Sequence, residues 1–338
     1  MEGLGLLGRS GEPQPIPMYS TAKLMTALLV LRDHPLPPGE PGPVLTVTDA
    51  DAARTAGEAA AGASIVPVQA GEQLTEDQLL EGLLIPSGNN FAEMLATWDA
   101  GSVAAFVAEM NAEAVVLGLR GTHFADPSGF DERTVSVPVD LIGLARAALQ
   151  DPLLAGIVGM AQADLPVAGT VYNVDYALGR DGIVGVKTGS SPQGTSSFVG
   201  QALRSVDGRD AVVYTAVMGQ ADLDQAFAAT ESLITAVSAG LIYWAPGGGA
   251  DIARYDAPWG GGAEVRDAGE LKVLAWPGLT SRLTYRLRSL VAPAPAGTEA
   301  GSVALVLGER SYELDMTTVT PLAAPGRKWR LTRLSAGT

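Results

Sequence analysis

Apolar and polar positions along the chain switch between helical and strand period several times. Behind Ser20, the residues Leu24, Ala27, Leu28 and Leu31 recur at helical spacing and His34-Pro35 ends the run, which predicts a central, buried helix over 20–32. Thr75-Glu-Asp-Gln78 has the form of a capping box and predicts a helix through Leu84. Pro86-Ser87-Gly88 breaks it, and helical patterns resume over Asn90–Trp98, Ser102–Leu117 and Val139–Leu149. The pattern then turns to strands at Ile183–Thr188, Ser197–Leu203 and Ala211–Met218, the last two joined by Asp207-Gly208, which predicts an antiparallel meander. Asp222–Ala239 is helical again. Gly3–Gly11 reads as a strand entering a turn, and residues 39–72, rich in Gly, Ala, Pro and Thr, read as turns and short strands.

Ala245-Pro-Gly-Gly-Gly-Ala250 is the best linker in the chain and divides it into domains at 1–245 and 246–338. Beyond it, short strand-like runs at Leu271–Ala275, Leu283–Arg288 and Val303–Leu307 predict a small all-β domain. A chain of 338 residues with 47% hydrophobic content suits one large domain plus a small one. No stretch reads as a membrane span, the start lacks the pattern of a signal peptide, and Arg330–Thr338 carries no amphipathic anchor pattern.

A formal charge of -15 with no clustered basic face argues against nucleic-acid partners. With no cysteine and only His34 and His123, the chain offers neither thiolate chemistry nor a convincing metal site, and no cofactor is expected. The two histidines read as packing or surface residues. Only four lysines occur, Lys23, Lys187, Lys272 and Lys328, in a chain that otherwise uses arginine for positive charge. Lysine differs from arginine in losing its proton readily when desolvated, so a retained lysine is a candidate general base.

Three short elements bring the chemistry: Ser20-Thr-Ala-Lys23, Ser87-Gly88-Asn89 and Lys187-Thr188-Gly189. On a helix, residues three apart share a side, which sets Lys23 beside the Ser20 hydroxyl. A serine hydroxyl is too weak an acid to attack an amide unaided, and a desolvated lysine can take its proton. Ser87, in the loop between two helices, is placed to relay a proton to a leaving amine, and the Asn89 amide can bind a peptide backbone. Lys187 and Thr188 on a strand edge suit a terminal carboxylate. Gly189 lets an extended substrate lie against that strand, and the Ser190 N–H is a second oxyanion donor beside the helix N-terminus. Each element alone also has a plain reading: Ser20 as a helix cap with Lys23 reaching for solvent, Ser87–Asn89 as an interhelical turn, Lys187 as an edge-strand charge.

Taken together, the elements resemble the SxxK, SxN and KTG motifs of penicillin-binding proteins and serine β-lactamases. Ser20-Thr-Ala-Lys-Leu-Met-Thr-Ala, Leu84-Ile-Pro-Ser-Gly-Asn-Asn, Phe106-Val-Ala-Glu-Met-Asn, Gly121-Thr-His-Phe-Ala-Asp-Pro-Ser-Gly and Gly185-Val-Lys-Thr-Gly are similar to the low-molecular-mass D-alanyl-D-alanine carboxypeptidases. Leu290-Val-Ala-Pro, Ala296-Gly-Thr-Glu-Ala-Gly and Pro321-Leu322 resemble that family's β-rich C-terminal domain. The resemblance implies an α/β (α+β) catalytic domain, with an antiparallel sheet flanked by helices, that removes the terminal D-Ala from peptidoglycan pentapeptide stems. It implies Ser20, Lys23 and Ser87 as catalytic residues and Asn89, Lys187, Thr188, Gly189 and Ser190 as substrate-binding ones. It also implies acylation of Ser20 by β-lactams and an extracytoplasmic location. Departures are Tyr19 where a small residue is usual, Val184 where an acidic one is common, and the segment Ser190-Ser191-Pro192-Gln193. A D,D-endopeptidase acting on crosslinks and a non-catalytic penicillin-sensing or wall-binding protein are the alternatives. A class A β-lactamase stands further off, since it normally has Ser-Asp-Asn as its second motif and no C-terminal β domain.

Overall fold

The computed structural model describes residue 1 and residues 3–246, 251–267 and 271–333. The chain forms two compact units, one of residues 9–204 and 210–238, the other of residues 1–8, 205–209 and 239–338. The first eight residues and residues 239–245 thus fall with the C-terminal unit, whereas the linker pattern sets the division at 245/246. The Gly247–Ala250 part of that linker and residues 334–338 lie outside the described residues.

In chain order the larger unit contains strand β1 (Ile16–Pro17), a 3₁₀ turn (Tyr19–Ala22), helix α1 (Lys23–Asp33), β2 (Val44–Thr46), α2 (Asp49–Ala60), β3 (Gln73–Thr75), α3 (Glu76–Leu84), α4 (Asn89–Ala100) and α5 (Val103–Val116). There follow β4 (Val135–Ser136), α6 (Pro138–Ala148), α7 (Pro152–Val158), β5 (Gln162–Leu165), β6 (Gly169–Tyr172) and β7 (Ile183–Ser190), and then β8 (Ser196–Val206), β9 (Arg209–Gln220) and α8 (Leu223–Gly240), each of which has one end beyond the bounds of this unit. The expected meander is present as a three-stranded antiparallel sheet in the order β7-β8-β9, with β7 at its edge. Its hairpin turns at Asp207 and Gly208, both at positive φ (48° and 74°), as a two-residue hairpin turn requires.

Helix α1 is the centre of the helical layer, packed on α3, α4, α5 and α6. Eight of its eleven residues are buried, among them Leu24, Met25, Ala27, Leu29 and Val30. On the sheet, Phe198 meets Phe227 of α8 edge-on at 5.1 Å, whereas Val199, one residue along β8, joins the core around α1. Alternation along β8 therefore buries both faces, one under α8 and one against the helical layer.

Four expectations are corrected. Gly3–Gly11 forms no strand, because Gly3 and Gly5 adopt φ of 75° and 77° and curl the chain so that Met1 N donates to Gly5 O. Ser20 does not open the α-helix: it lies in the 3₁₀ turn, and no side chain caps that turn. Residues 39–72 contain the twelve-residue helix α2, which the pattern hides because Thr55 is its one fully buried residue and no apolar stripe marks it. Its start was nevertheless written, since Thr48 and Asp51 form a reciprocal capping box like that of Thr75 and Gln78 at α3. Helix α7 and the hairpin β5–β6 also went unpredicted; β5 pairs Gln162–Leu165 with Gly169–Tyr172.

The smaller unit is β-rich, as its runs predict. It holds β10 (Ile242–Trp244), β11 (Asp251–Asp256), β12 (Gly262–Asp267), β13 (Val273–Ala275), β14 (Ser281–Leu287), β15 (Glu299–Leu307), β16 (Arg310–Thr318) and the short α9 (Arg327–Arg333). Five strands form one antiparallel sheet in the order β11-β12-β16-β15-β14, and β10 pairs with β13. The register aligns Tyr285, Val303 and Leu314 on one face, with Arg286, Ser302 and Asp315 on the other. Among the described residues no single helix is long and apolar enough to cross a membrane.

Candidate active site

The 3₁₀ turn sharpens the Ser20–Lys23 geometry. In a 3₁₀ helix residues three apart eclipse one another, so Lys23 stands directly over Ser20 rather than offset from it. Lys23 Nζ donates to Ser20 Oγ at 2.8 Å, to Asn89 Oδ1 at 2.6 Å and to the Ser128 carbonyl at 3.0 Å. The side chain is fully buried. Burial first, and then the charge of Lys187, holds the Lys23 ammonium well below the ordinary lysine range; Asp126 and Glu58 oppose them. The solvent-reaching alternative for Lys23 and the capping alternative for Ser20 are both absent from this geometry.

Asn89 opens α4, its backbone N–H bound to Ser64 O at 2.8 Å. The neighbouring Asn90 clasps the same segment, accepting from Val66 N and donating to Val66 O. Ser87, two residues ahead of Asn89, is buried at φ 68°, an uncommon conformation for a non-glycine residue, and its Oγ has no hydrogen-bond partner. Tyr19, directly before Ser20, is likewise left-handed at φ 52°. Two strained residues thus flank the serine and the asparagine, and such strain persists only where the surroundings hold it. Around Tyr19 the holding is steric: Gly129 at φ 79° lies so close that a Cβ there would stand 1.8 Å from Tyr19 O.

Strand β7 runs beside the 3₁₀ turn. A Cβ on Gly189 would lie 2.8 Å from Met18 O, 3.0 Å from Tyr19 Cβ and 3.1 Å from Ser20 N. The missing side chain therefore makes room for the backbone that carries Ser20, a different reason from the open strand surface read from the sequence. Ser191 N donates to Thr195 O at 2.8 Å, so alternation along the hairpin turns the Ser190 N–H away from β8, toward the open edge of β7. Lys187, opposite Val199, is 1% exposed and its Nζ has no hydrogen-bond partner. Burial pulls it down to about 7, and Asp175 works against that fall. Thr188 is buried opposite Phe198. His34 stacks on Trp98 at 3.9 Å and His123 bridges to Val135 through its backbone, so neither histidine reaches the serine by these contacts.

Four participants escaped sequence reasoning. The Ser128 carbonyl completes the Lys23 cradle, and Asp126 shapes its loop by accepting from Ser128 N, Ser128 Oγ, Phe130 N and Thr134 Oγ1. Both lie in the quoted segment Gly121–Gly129, which had no assigned role. Glu58 reaches Lys23 through its charge and is itself raised to about 7 by burial and by Glu93. Asp175 faces Lys187 from outside any motif.

A buried lysine bonded to a serine hydroxyl, beside an edge strand with N–H groups turned outward, is the arrangement expected of an active-site-serine enzyme of the penicillin-binding fold. The D-alanyl-D-alanine carboxypeptidase model of the S11 serine peptidases matches residues 6–221, and the chain belongs to that family. It is 35% identical over 195 residues to the D-alanyl-D-alanine carboxypeptidase DacB2 of Mycobacterium tuberculosis, covering 56% of this chain and 62% of that one. It is also 35% identical over 140 residues to a D-alanyl-D-alanine endopeptidase of Pseudomonas aeruginosa, covering 41% and 42%. The chain thus spans less than two thirds of either relative's length. Among solved structures, the Streptomyces K15 DD-transpeptidase matches with a TM-score of 0.57 at 27% identity, over 68% of this chain and 90% of that one. Penicillin binding protein 5 of Haemophilus influenzae matches with a TM-score of 0.66 over 94% of both chains; at 19% identity it shares the fold.

Proposed function

We propose that the protein is a serine-type D-Ala-D-Ala carboxypeptidase that removes the terminal D-Ala from peptidoglycan pentapeptide stems through an acyl-enzyme on Ser20. The observation that carries this reading is the buried Lys23 Nζ, held at once within hydrogen-bond distance of Ser20 Oγ, Asn89 Oδ1 and Ser128 O. Held below its ordinary range, Lys23 takes the Ser20 proton as Oγ attacks the carbonyl carbon of the penultimate D-Ala. The Ser20 and Ser190 N–H groups receive the developing oxyanion. As the C–N bond breaks, the proton passes from Lys23 through the Ser87 hydroxyl to the departing amine of D-Ala. Asn89 binds the stem backbone, and Lys187 with Thr188 binds the substrate's terminal carboxylate. Water then attacks the ester carbonyl, giving its proton to Lys23, and Lys23 passes that proton to Ser20 Oγ as the ester C–O bond breaks, which restores both groups. A β-lactam opens on the same serine and leaves slowly because its leaving group stays tethered. Such chemistry belongs outside the cytoplasmic membrane, where the stems are.

The endopeptidase named among the relatives favours a second reading, cleavage of a crosslink by the same acyl-enzyme route. Mass spectrometry of D-Ala released from a pentapeptide stem, set against cleavage of a crosslinked stem dimer, separates the two. A labelled penicillin is expected to attach to Ser20 and not to Ser20→Ala. A folded protein that takes no label at all sinks both readings and leaves a non-catalytic wall-binding role.

A further inference from the structure

The Ser128 carbonyl that Lys23 touches is held from two sides. On one side Asp126 folds residues 126–130 into a turn, its Oδ2 accepting from Ser128 N at 3.1 Å, Ser128 Oγ at 2.6 Å and Phe130 N at 3.0 Å. Its Oδ1 accepts from Thr134 Oγ1, and that oxygen in turn accepts from Ala125 N at 3.0 Å and Asp126 N at 3.2 Å. On the other side α1 binds two successive carbonyls of the turn with side chains three residues apart: Lys23 Nζ reaches Ser128 O at 3.0 Å, and Thr26 Oγ1 donates to Pro127 O at 2.6 Å. The same turn sets Gly129 against Tyr19 O, and Thr134 O accepts from Met18 N at 3.1 Å, two residues before Ser20. One carboxylate thus ties the backbone that leads to the nucleophile to the carbonyl that rests on its base.

A neutral amine has two hydrogens and one lone pair. Lys23 Nζ has three oxygen neighbours, Asn89 Oδ1 at 2.6 Å, Ser20 Oγ at 2.8 Å and Ser128 O at 3.0 Å, and of these only Ser20 Oγ carries a proton to give. Once Lys23 is neutral, its two N–H groups go to Asn89 Oδ1 and Ser128 O, and the lone pair is left for the Ser20 hydroxyl. A side-chain amide can turn over and offer its NH2 group instead, whereas a backbone carbonyl only accepts, so Ser128 O is the neighbour that fixes this direction. We propose that Asp126 is a positioning residue for the base: the turn it folds keeps Ser128 O on Lys23, so that neutral Lys23 presents its lone pair, and not an N–H, to Ser20. This rests on the D,D-peptidase reading above and adds to it a residue outside the three motifs. In the step it serves, the Ser20 O–H bond breaks, the proton passes to the Nζ lone pair, and Oγ bonds to the substrate's carbonyl carbon, whose oxygen takes the negative charge. The charge of Asp126 acts in the opposite sense to its hydrogen bonds. It works against the depression of Lys23, so removing the charge alone leaves more of the lysine neutral and speeds acylation, whereas losing the turn slows it.

The test is acylation by a labelled penicillin carboxyl methyl ester, resolved into its limiting rate constant at saturation and its half-saturating concentration. Asp126→Ala loses every bond that folds the turn, and its limiting rate constant is expected to fall by about tenfold to a hundredfold with half-saturation unchanged. Asp126→Asn keeps an oxygen for Ser128 N, Ser128 Oγ and Phe130 N and should recover most of that loss. Thr26→Val has the same shape without the donor to Pro127 O; it leaves Asp126 in place, frees the turn from α1 and should lower the rate constant severalfold. A folded Asp126→Ala protein whose limiting rate constant is native or raised overturns the proposal. So does an equal loss in Asp126→Asn and Asp126→Ala, or a change confined to the half-saturating concentration. Where Asp126→Ala does not fold, Thr26→Val decides, and a native rate constant there overturns the proposal. A native chain that no penicillin acylates refutes the peptidase reading itself, a result distinct from the others.

Discussion

Replacing Gly129 with alanine tests whether the backbone before Ser20 is held by contact. Gly129 has φ 79°, and the new Cβ would stand 1.8 Å from Tyr19 O, 2.3 Å from Tyr19 C and 3.1 Å from the Ala22 Cβ. No rotamer relieves this, because the atoms in the way are main chain. Two costs add. A non-glycine residue in the left-handed region costs about 1–2 kcal/mol, and displacing close-packed neighbours costs about 1–3 kcal/mol more. The sum, about 2–5 kcal/mol, should lower the melting temperature by about 4–20 °C for a domain of this size.

The effect on chemistry is separate from that on stability. Tyr19 must move to escape, Ser20 moves with it, and a 1 Å misplacement of a reacting group costs about a hundredfold in rate. Gly118→Ala is the control: its φ is 72°, but nothing lies within 4 Å of the added Cβ, so it bears the conformational cost alone. Calorimetry and the rate of penicillin labelling, measured below the melting temperature of both variants, read the two effects. Gly129→Ala behaving like Gly118→Ala, with native labelling and an equally small melting shift, would refute the steric argument.

Three further outcomes follow from the same geometry. Lys23→Ala and Lys23→Arg should both abolish acylation, by at least about a thousandfold. Arginine keeps the charge but does not deprotonate, so near-native labelling of the arginine variant would remove Lys23 from the role of base. The acylation rate of the native chain should fall as pH drops: a lysine held well below its ordinary range is neutral above its own pKa and becomes charged, and useless as a base, below it. With a penicillin carboxyl methyl ester, whose binding does not call on Lys187, a rate constant that rises as pH falls would contradict that state. Thr48→Ala removes the side-chain half of the α2 capping box, while the Thr48 N–H can still donate to Asp51, and should cost about 1 kcal/mol in denaturant unfolding while leaving labelling unchanged; no loss of stability would mean that the Thr48 hydroxyl contributes nothing.

What the sequence revealed and what it hid divide along a physical line. Helices α3, α4, α5 and α6 were legible because each buries one side and carries its own caps and breaks, such as Thr75 and Gln78 or the proline opening α6. Helix α2 was not, because alanine is its only apolar residue type besides glycine and no large apolar side chain marks its inner face; the Thr48–Asp51 box was the signal to use. The Ser20–Lys23 pair was found through its spacing, yet the local structure behind it was misjudged. A 3₁₀ turn differs from an α-turn by a small change in backbone angles, and here that change is imposed from outside, by Gly129 against Tyr19 and Gly189 against Met18 and Ser20.

The same line explains which site residues were missed. A motif is visible when neighbouring residues act together, as in Lys187-Thr-Gly, whereas Ser128 contributes a backbone carbonyl, which any residue could supply, at a separation of 105 positions from Lys23. Glu58 and Asp175 act through charge in a buried setting, and burial is a property of the assembled core rather than of any local run. Lysine scarcity drew attention to Lys23 and Lys187, and in the fold these two depress one basic group by placing another beside it. Two buried lysines in one site, whether charged together or in turn, are tolerable only with nearby carboxylates to offset their charge. An acidic chain of net charge -15 offers many such residues on its surface, so only the structure could single out Asp126, Glu58 and Asp175 as those that face inward on the lysines.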